Sequence, residues 1–245
     1  MPVKEDATKL LLSYIANNYE SLVEEAKNTR MGHEEFLSKV LNDEVKHRRE
    51  IRVQRKIREA HFPYKKALQD FSLEEYEEPL KNEIQDLSTL DFIKRKENAI
   101  FIGNPGRGKT HLAIGLGIAT SLADMRVLFT NVPNLVIELK EAMSRNQVTA
   151  YKRKFAKYEL VIIDELGYVS FDRQGNEILF NLLSNRNETG SMIITTNLAF
   201  ENWEEVFQDT NLTGALVDRL THKAHILDMS GESYRLKETR QLQGK

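Results

Sequence analysis

The chain has 245 residues, 40% apolar and 29% charged, with a formal net charge of −2 and no cysteine. That is enough chain for one large domain and a small appendage, and it excludes global disorder, disulfides and cysteine-built zinc sites. No apolar run approaches bilayer length, and the acid-bearing residues 1–20 do not read as a signal peptide, so a soluble cytoplasmic protein with no membrane partner is expected.

Residues 7–60 read as helices. The stretch ATKLLLSYIANNYESLVEEAK carries Leu11, Tyr14, Ile15 and Leu22 at helical spacing, NTRMG makes a turn, and the period resumes through Phe36, Val40 and Leu41 until Pro63 stops it. Charge is segregated along this region. Residues 1–45 hold five basic and nine acidic residues, residues 46–66 nine and two, and residues 67–91 one and eight. In the basic block Arg48, Arg52 and Arg55 share one helical face, and Arg49 and Lys56 lie seven apart on another. Such a block is either a solvated helix face or a surface for DNA phosphates or an acidic partner. Residues 67–91 read as an acidic connector with some helical turns.

From about residue 98 the rhythm changes. NAIFIG, RVLFTNV, YELVIIDE, GSMIITTN and KAHILDM are short apolar runs, and helical stretches such as PNLVIELKEAM and GNEILFNLLSNRN separate them. Continuous apolar strands alternating with helices predict a doubly wound parallel α/β sheet.

The run GNPGRGKT places Gly103, Gly108, Lys109 and Thr110 in the pattern G-x-x-x-x-G-K-[ST], after a predicted strand and at the start of a predicted helix. Backbone N–H groups of such a loop cradle phosphates, the lysine reaches the β/γ-phosphates and the threonine hydroxyl ligates Mg²⁺. Nucleotide contacts are therefore expected from Gly103, Asn104, Pro105, Gly106, Arg107, Gly108, Lys109, Thr110 and His111. LVIIDE then ends a strand on Asp164, placed to hold Mg²⁺ with Thr110, and on Glu165, placed to polarise the attacking water. IITTN ends the next strand on Asn197, which either faces the γ-phosphate or forms a turn. Arg219 and Arg235 follow, and composition alone gives neither a role.

With these parts in order, the sequence resembles the AAA+ ATPases of the IstB/DnaC-like group, and most closely its insertion-sequence transposition helpers. The carriers are HFPYKKALQDF, LDFIKRKENAIFIGNPGRGKTHLAIGLG, LVIIDELGYVSFDRQGNEILFNLLSNR, ITTN, ALVDRL and GESYRLKE, spread over nearly the whole chain. The resemblance implies a P-loop AAA+ three-layer α/β domain with a five-stranded parallel sheet at residues 92–245. A small all-helical domain at 1–66 and the connector at 67–91 precede it, and no C-terminal lid domain follows. It implies Walker A at Gly103–Thr110, Walker B at Asp164 and Glu165, and sensor 1 at Asn197. Arg219 matches an arginine finger acting on a neighbouring subunit, and Arg235 a sensor-2 arginine. The function implied is an ATPase that uses ATP and Mg²⁺, assembles as an ATP-dependent homo-oligomer on duplex DNA, remodels target DNA, and recruits the transposase of its own insertion sequence. A replicative helicase loader of the DnaC type is the alternative, and a DNA-packaging scaffold that scarcely hydrolyses ATP is disfavoured by Glu165. The loop reads N-P-G-R where P-P-G-T is usual, which leaves Arg107 as an extra cation at the loop edge.

Overall fold

The computed structural model describes residues 2–74, 76–167, 172–187, 189–231 and 233. The chain divides into two compact units, Met1–Arg55 and Lys56–Lys245.

The first unit is helical: α1 (Pro2–Lys9), α2 (Ser13–Thr29) and most of α3 (His33–Glu59). The single first helix expected from the apolar spacing is two. The chain breaks at Leu10–Leu12, with Leu11 at φ 58 and 78% exposed. Leu11 and Leu41 therefore stand outside the buried stripe, which rests on Ala7, Ala16 and Leu22. The break leaves the first N–H groups of α2 without a side-chain cap from Leu12. Glu44 of α3 supplies one: its Oε2 accepts from the N–H of Tyr14 (2.9 Å) and of Ile15 (3.1 Å). Arg48 Nε donates to the other oxygen at 2.9 Å and Arg48 Nη2 to Leu11 O at 2.6 Å, so a buried carboxylate is fully engaged.

The second unit continues through a 3₁₀ turn (Leu68–Asp70), α4 (Glu78–Ser88) and α5 (Asp91–Lys94) into β1 (Asn98–Ile102) and α6 (Lys109–Leu122). Then come β2 (Val127–Asn131), α7 (Val132–Ser144), α8 (Val148–Phe155), β3 (Leu160–Leu166), α9 (Arg173–Arg186) and β4 (Ser191–Thr196). The described part closes with α10 (Glu204–Phe207), α11 (Thr210–Thr221) and β5 (Ala224–Asp228). All strand pairs are parallel, in the order β2-β3-β4-β1-β5. This is the expected five-stranded sheet.

Side chains alternate across it. Ala99 and Phe101 face α4 and α6 with Leu87, Leu112 and Leu116, whereas Ile100 faces α7, α9 and α11 with Leu139, Leu183 and Leu220. Burial on both faces is why the strands read as unbroken apolar runs. Asn131, Asp172 and Asp209 cap α7, α9 and α11 by accepting from the N–H of Asn134, Gly175 and Leu212. One arrangement follows from the strand order and matters for chemistry: β4 lies between β1, which leads into the phosphate loop, and β3, which ends in the two acids.

Candidate active site

The loop after β1 starts at Gly103, whose N–H donates to Thr196 O at the end of β4 (3.2 Å). A Cβ on Gly103 (φ 151) would lie 2.5 Å from the carbonyl carbon of Met229. One on Gly108 (φ 82) would lie 2.9 Å from the Phe71 ring. Both glycines thus answer to close packing around the loop as well as to the curvature that presents its N–H groups. Lys109 Nζ donates to Gly103 O (2.6 Å) and Asn104 O (2.9 Å), inside the loop's own curve.

Thr110 opens α6 and its hydroxyl donates to Asp164 Oδ1 at 2.9 Å. Asp164 is buried, at 6% exposure, and its Oδ1 also accepts from the Thr195 hydroxyl at 2.6 Å. Glu165 sits at φ 63 and is exposed into a cleft of about 440 Å³. Asn197 lines the same cleft, with its Oδ1 buried and without a hydrogen-bond partner among the described residues. Pro105 to His111 form the cleft's floor. Gly103, Asn104 and Asp164 are not among the residues that line the cleft.

The opposite wall comes from residues 64–76, to which composition assigned no site residue. Tyr64, Phe71 and Tyr76 line it, with Lys66, Asp70 and Ser72. Phe71 stacks on Tyr76 (centroids 5.6 Å) and meets His111 edge-on at 5.3 Å. Burial pushes the His111 imidazole below its ordinary pKa, partly opposed by its bond to the Ala67 backbone. A neutral ring therefore suits this aromatic corner. The available signal was the recurrence of Phe62, Tyr64, Phe71 and Tyr76 across the boundary between the basic and acidic blocks.

Arg107, which lines the cleft, is itself engaged. Its Nε donates to Met229 O (3.3 Å), its guanidinium lies 4.8 Å over the Tyr76 ring, and the Tyr76 hydroxyl donates to Arg107 O. Asn104 Nδ2 donates to Gly231 O at 3.0 Å. The loop is thereby held between the connector and the chain after β5.

Arg219 is not among the residues that line the cleft. Arg219 is exposed in the last turn of α11, its guanidinium 5.2 Å over the Phe180 ring. Arg235 lies outside the described residues. Arg48 is bound to Glu44 and Leu11, and Lys56 Nζ pairs with Asp124 at 2.6 Å. Arg48, Arg49, Arg52 and Arg55 are all exposed on α3.

The family model described as "IstB-like ATP binding protein" matches residues 5–242. The chain belongs to this family. A putative ATP-binding protein of insertion sequence IS21 from Pseudomonas aeruginosa is 35% identical over 95% of this chain and 88% of its own length. One of IS232 from Bacillus thuringiensis subsp. berliner is 34% identical over 94% and 92%. Among solved structures, the DnaC helicase loader superposes with a TM-score of 0.55 at 19% identity, covering 66% of this chain and 95% of that one. Replication initiator DnaA bound to AMPPCP and single-stranded DNA gives 0.60 at 14% identity over 75% and 56%. At these identities the structures show the fold, which is that of an AAA+ P-loop domain. This family member is an ATPase. No described helix is long and apolar enough to cross a membrane.

Proposed function

We propose that the protein is the helper ATPase of an insertion sequence. It assembles with ATP on duplex DNA in the cytoplasm, selects and reshapes the target, and recruits and stimulates the transposase of the same element. The observation that carries this reading is the reach of the likeness. Insertion-sequence proteins match at 34–35% over 94–95% of the chain, helical unit included, whereas the likeness to the helicase loader covers 66% and is one of fold.

The residue roles in this reading are supported by the cleft's geometry and by the family resemblance. The loop's N–H groups and Lys109 bind the phosphates. Magnesium fits the donor set, because the Thr110 hydroxyl and the Asp164 carboxylate are hard oxygen ligands held 2.9 Å apart. The ion supplies charge neutralisation at the phosphates. Glu165 accepts the proton of the attacking water, and Asn197, with its unpartnered Oδ1, orients that water or the γ-phosphate. Arg219 reaches a neighbouring subunit's nucleotide, and Arg49, Arg52 and Arg55 meet DNA phosphates.

The test is a client assay. Purified protein with ATP and duplex DNA is offered the transposase of its element and, separately, a replicative helicase. Capture of the transposase and increased strand transfer are expected. Capture of the helicase alone overturns this reading in favour of a loader.

A further inference from the structure

We infer that Thr195 is a positioning residue that sets both acids of the ATPase site through one hydroxyl. The inference rests on the assignment of Asp164 to the cation and Glu165 to the attacking water.

In the β3–β4 ladder Ile163 pairs with Ile194 and Leu166 with Thr196, so Asp164 and Glu165 together face the single residue Thr195. That is a β-bulge, a device that re-aims a side chain beside a site. Here it carries Glu165 into the left-handed region at φ 63, a conformation a non-glycine residue keeps only when its surroundings hold it there. The hold is visible. The Glu165 N–H, which the bulge takes out of the regular ladder, donates to the Thr195 hydroxyl at 3.0 Å. The same hydroxyl donates to Asp164 Oδ1 at 2.6 Å.

The polarity is unambiguous. A backbone N–H only donates and a carboxylate only accepts, so the hydroxyl uses its one proton on Asp164 and a lone pair on Glu165. Thr195 is 1% exposed, and the two bonds occupy its donor and one acceptor site. Oδ1 of Asp164 thus receives two hydroxyls, from Thr110 and Thr195, and among the described residues nothing bonds Oδ2. That leaves one oxygen for the cation's shell and fixes the carboxylate plane that presents it. β4 lies between the loop strand and the acid strand, which places Thr195 beside both acids. Threonine adds a branched Cβ that restricts χ1, so the hydroxyl is presented in a fixed direction.

The experiment compares Thr195→Val, Thr195→Ser, Thr195→Cys and Glu165→Gln with the parent chain. It reads kcat, KM, fluorescent-ATP affinity and melting temperature. Valine keeps the shape and removes both bonds, and bonds to charged groups are strong enough that kcat should fall about 10–100-fold. KM and ATP affinity should stay within about 3-fold, because the phosphate loop is untouched. Serine should keep kcat within about 3-fold and cysteine, a weak donor, should fall between. If valine does not fold, the serine–cysteine pair decides, and equal kcat for the two overturns the inference. Unchanged kcat in Thr195→Val, or a loss of ATP affinity as large as the loss of turnover, overturns it too. Turnover persisting in Glu165→Gln instead sinks the assignment of Glu165, which separates that failure from this one.

Discussion

Arg107 sits in a loop built to bind phosphate, yet its guanidinium points to a carbonyl and an aromatic ring. The pattern G-x-x-x-x-G-K-[ST] leaves this position free, so no spacing rule assigns it a partner. The structure explains the arginine by what grips the loop: Met229 O, the Tyr76 face, and a passing chain in which a Cβ at Gly231 would lie 3.3 Å from Arg107 Cζ. Arg107→Ala removes the guanidinium's contacts with Met229 O and the Tyr76 ring, leaving the Tyr76 hydroxyl and Asn104 bonds to hold the loop less firmly. The loosened loop must then be ordered by the nucleotide, at roughly 1–2 kcal/mol per residue fixed. The expected result is an ATP KM raised about 10-fold, equivalent to ~1.4 kcal/mol, with kcat changed less than about 3-fold. Steady-state kinetics with a direct ATP-binding titration checks it, and a loss confined to kcat would place Arg107 in the chemistry instead. Tyr76→Phe keeps the ring and drops one loop bond, so it should show a smaller effect in the same direction.

At the level of elements, the helical unit carries a pH dependence. Burial pushes the Glu44 carboxyl up, and the N–H of Ile15, the Arg48 guanidinium and the N–H of Tyr14 together outweigh it, so the folded value lies below the ordinary 4.5. A carboxylate depressed in this way stabilises the fold above its unfolded pKa, and that contribution is lost as pH falls through the folded value. The protection of the Tyr14 and Ile15 amides, relative to the intrinsic exchange rate at each pH, should therefore fall on acidification below 4.5. In Glu44→Gln exchange there should already be faster at neutral pH, with a flatter acid limb. An identical acid limb in parent and variant would remove Glu44 as the cause.

The same elements show what was legible in the sequence. The five strands could be read because continuous apolar runs are local signals. The helix α8 could not: VTAYKRKF buries only Phe155 and ends in three cations, so it lacks an apolar period. The helix α11 hides behind threonine and glycine, poor helix formers, and is held by Leu216 and Leu220 against the sheet. The aromatic wall at Tyr64, Phe71 and Tyr76 and the hydroxyl bridge at Thr195 escaped because each exists only through tertiary contact. The phosphate loop and the Asp164–Glu165 pair were legible because their chemistry demands contiguous residues in a fixed order.

For the whole molecule, the placement of Arg219 bears on assembly. The phosphate loop, Glu165 and Asn197 line the cleft, whereas Arg219 does not and is exposed on α11. Charge that develops on the transferred phosphoryl group is typically met by an arginine, worth about 10³–10⁵ in rate when it is supplied across an interface. Its guanidinium lies over the Phe180 ring of α9, and Arg219 is exposed. Hydrolysis should therefore require subunit association, and Arg219→Ala should lose at least about 100-fold in kcat while still binding ATP. Lys109→Ala should fail to bind ATP tightly. Mixed with Arg219→Ala, it should restore part of the activity, because one interface in the mixture joins an intact nucleotide loop to an intact Arg219. Equal mixing with ATPase measured against total protein concentration reads this directly. If mixed oligomers form and stay inactive at every ratio, Arg219 does not act across the interface, and its place over Phe180 is structural.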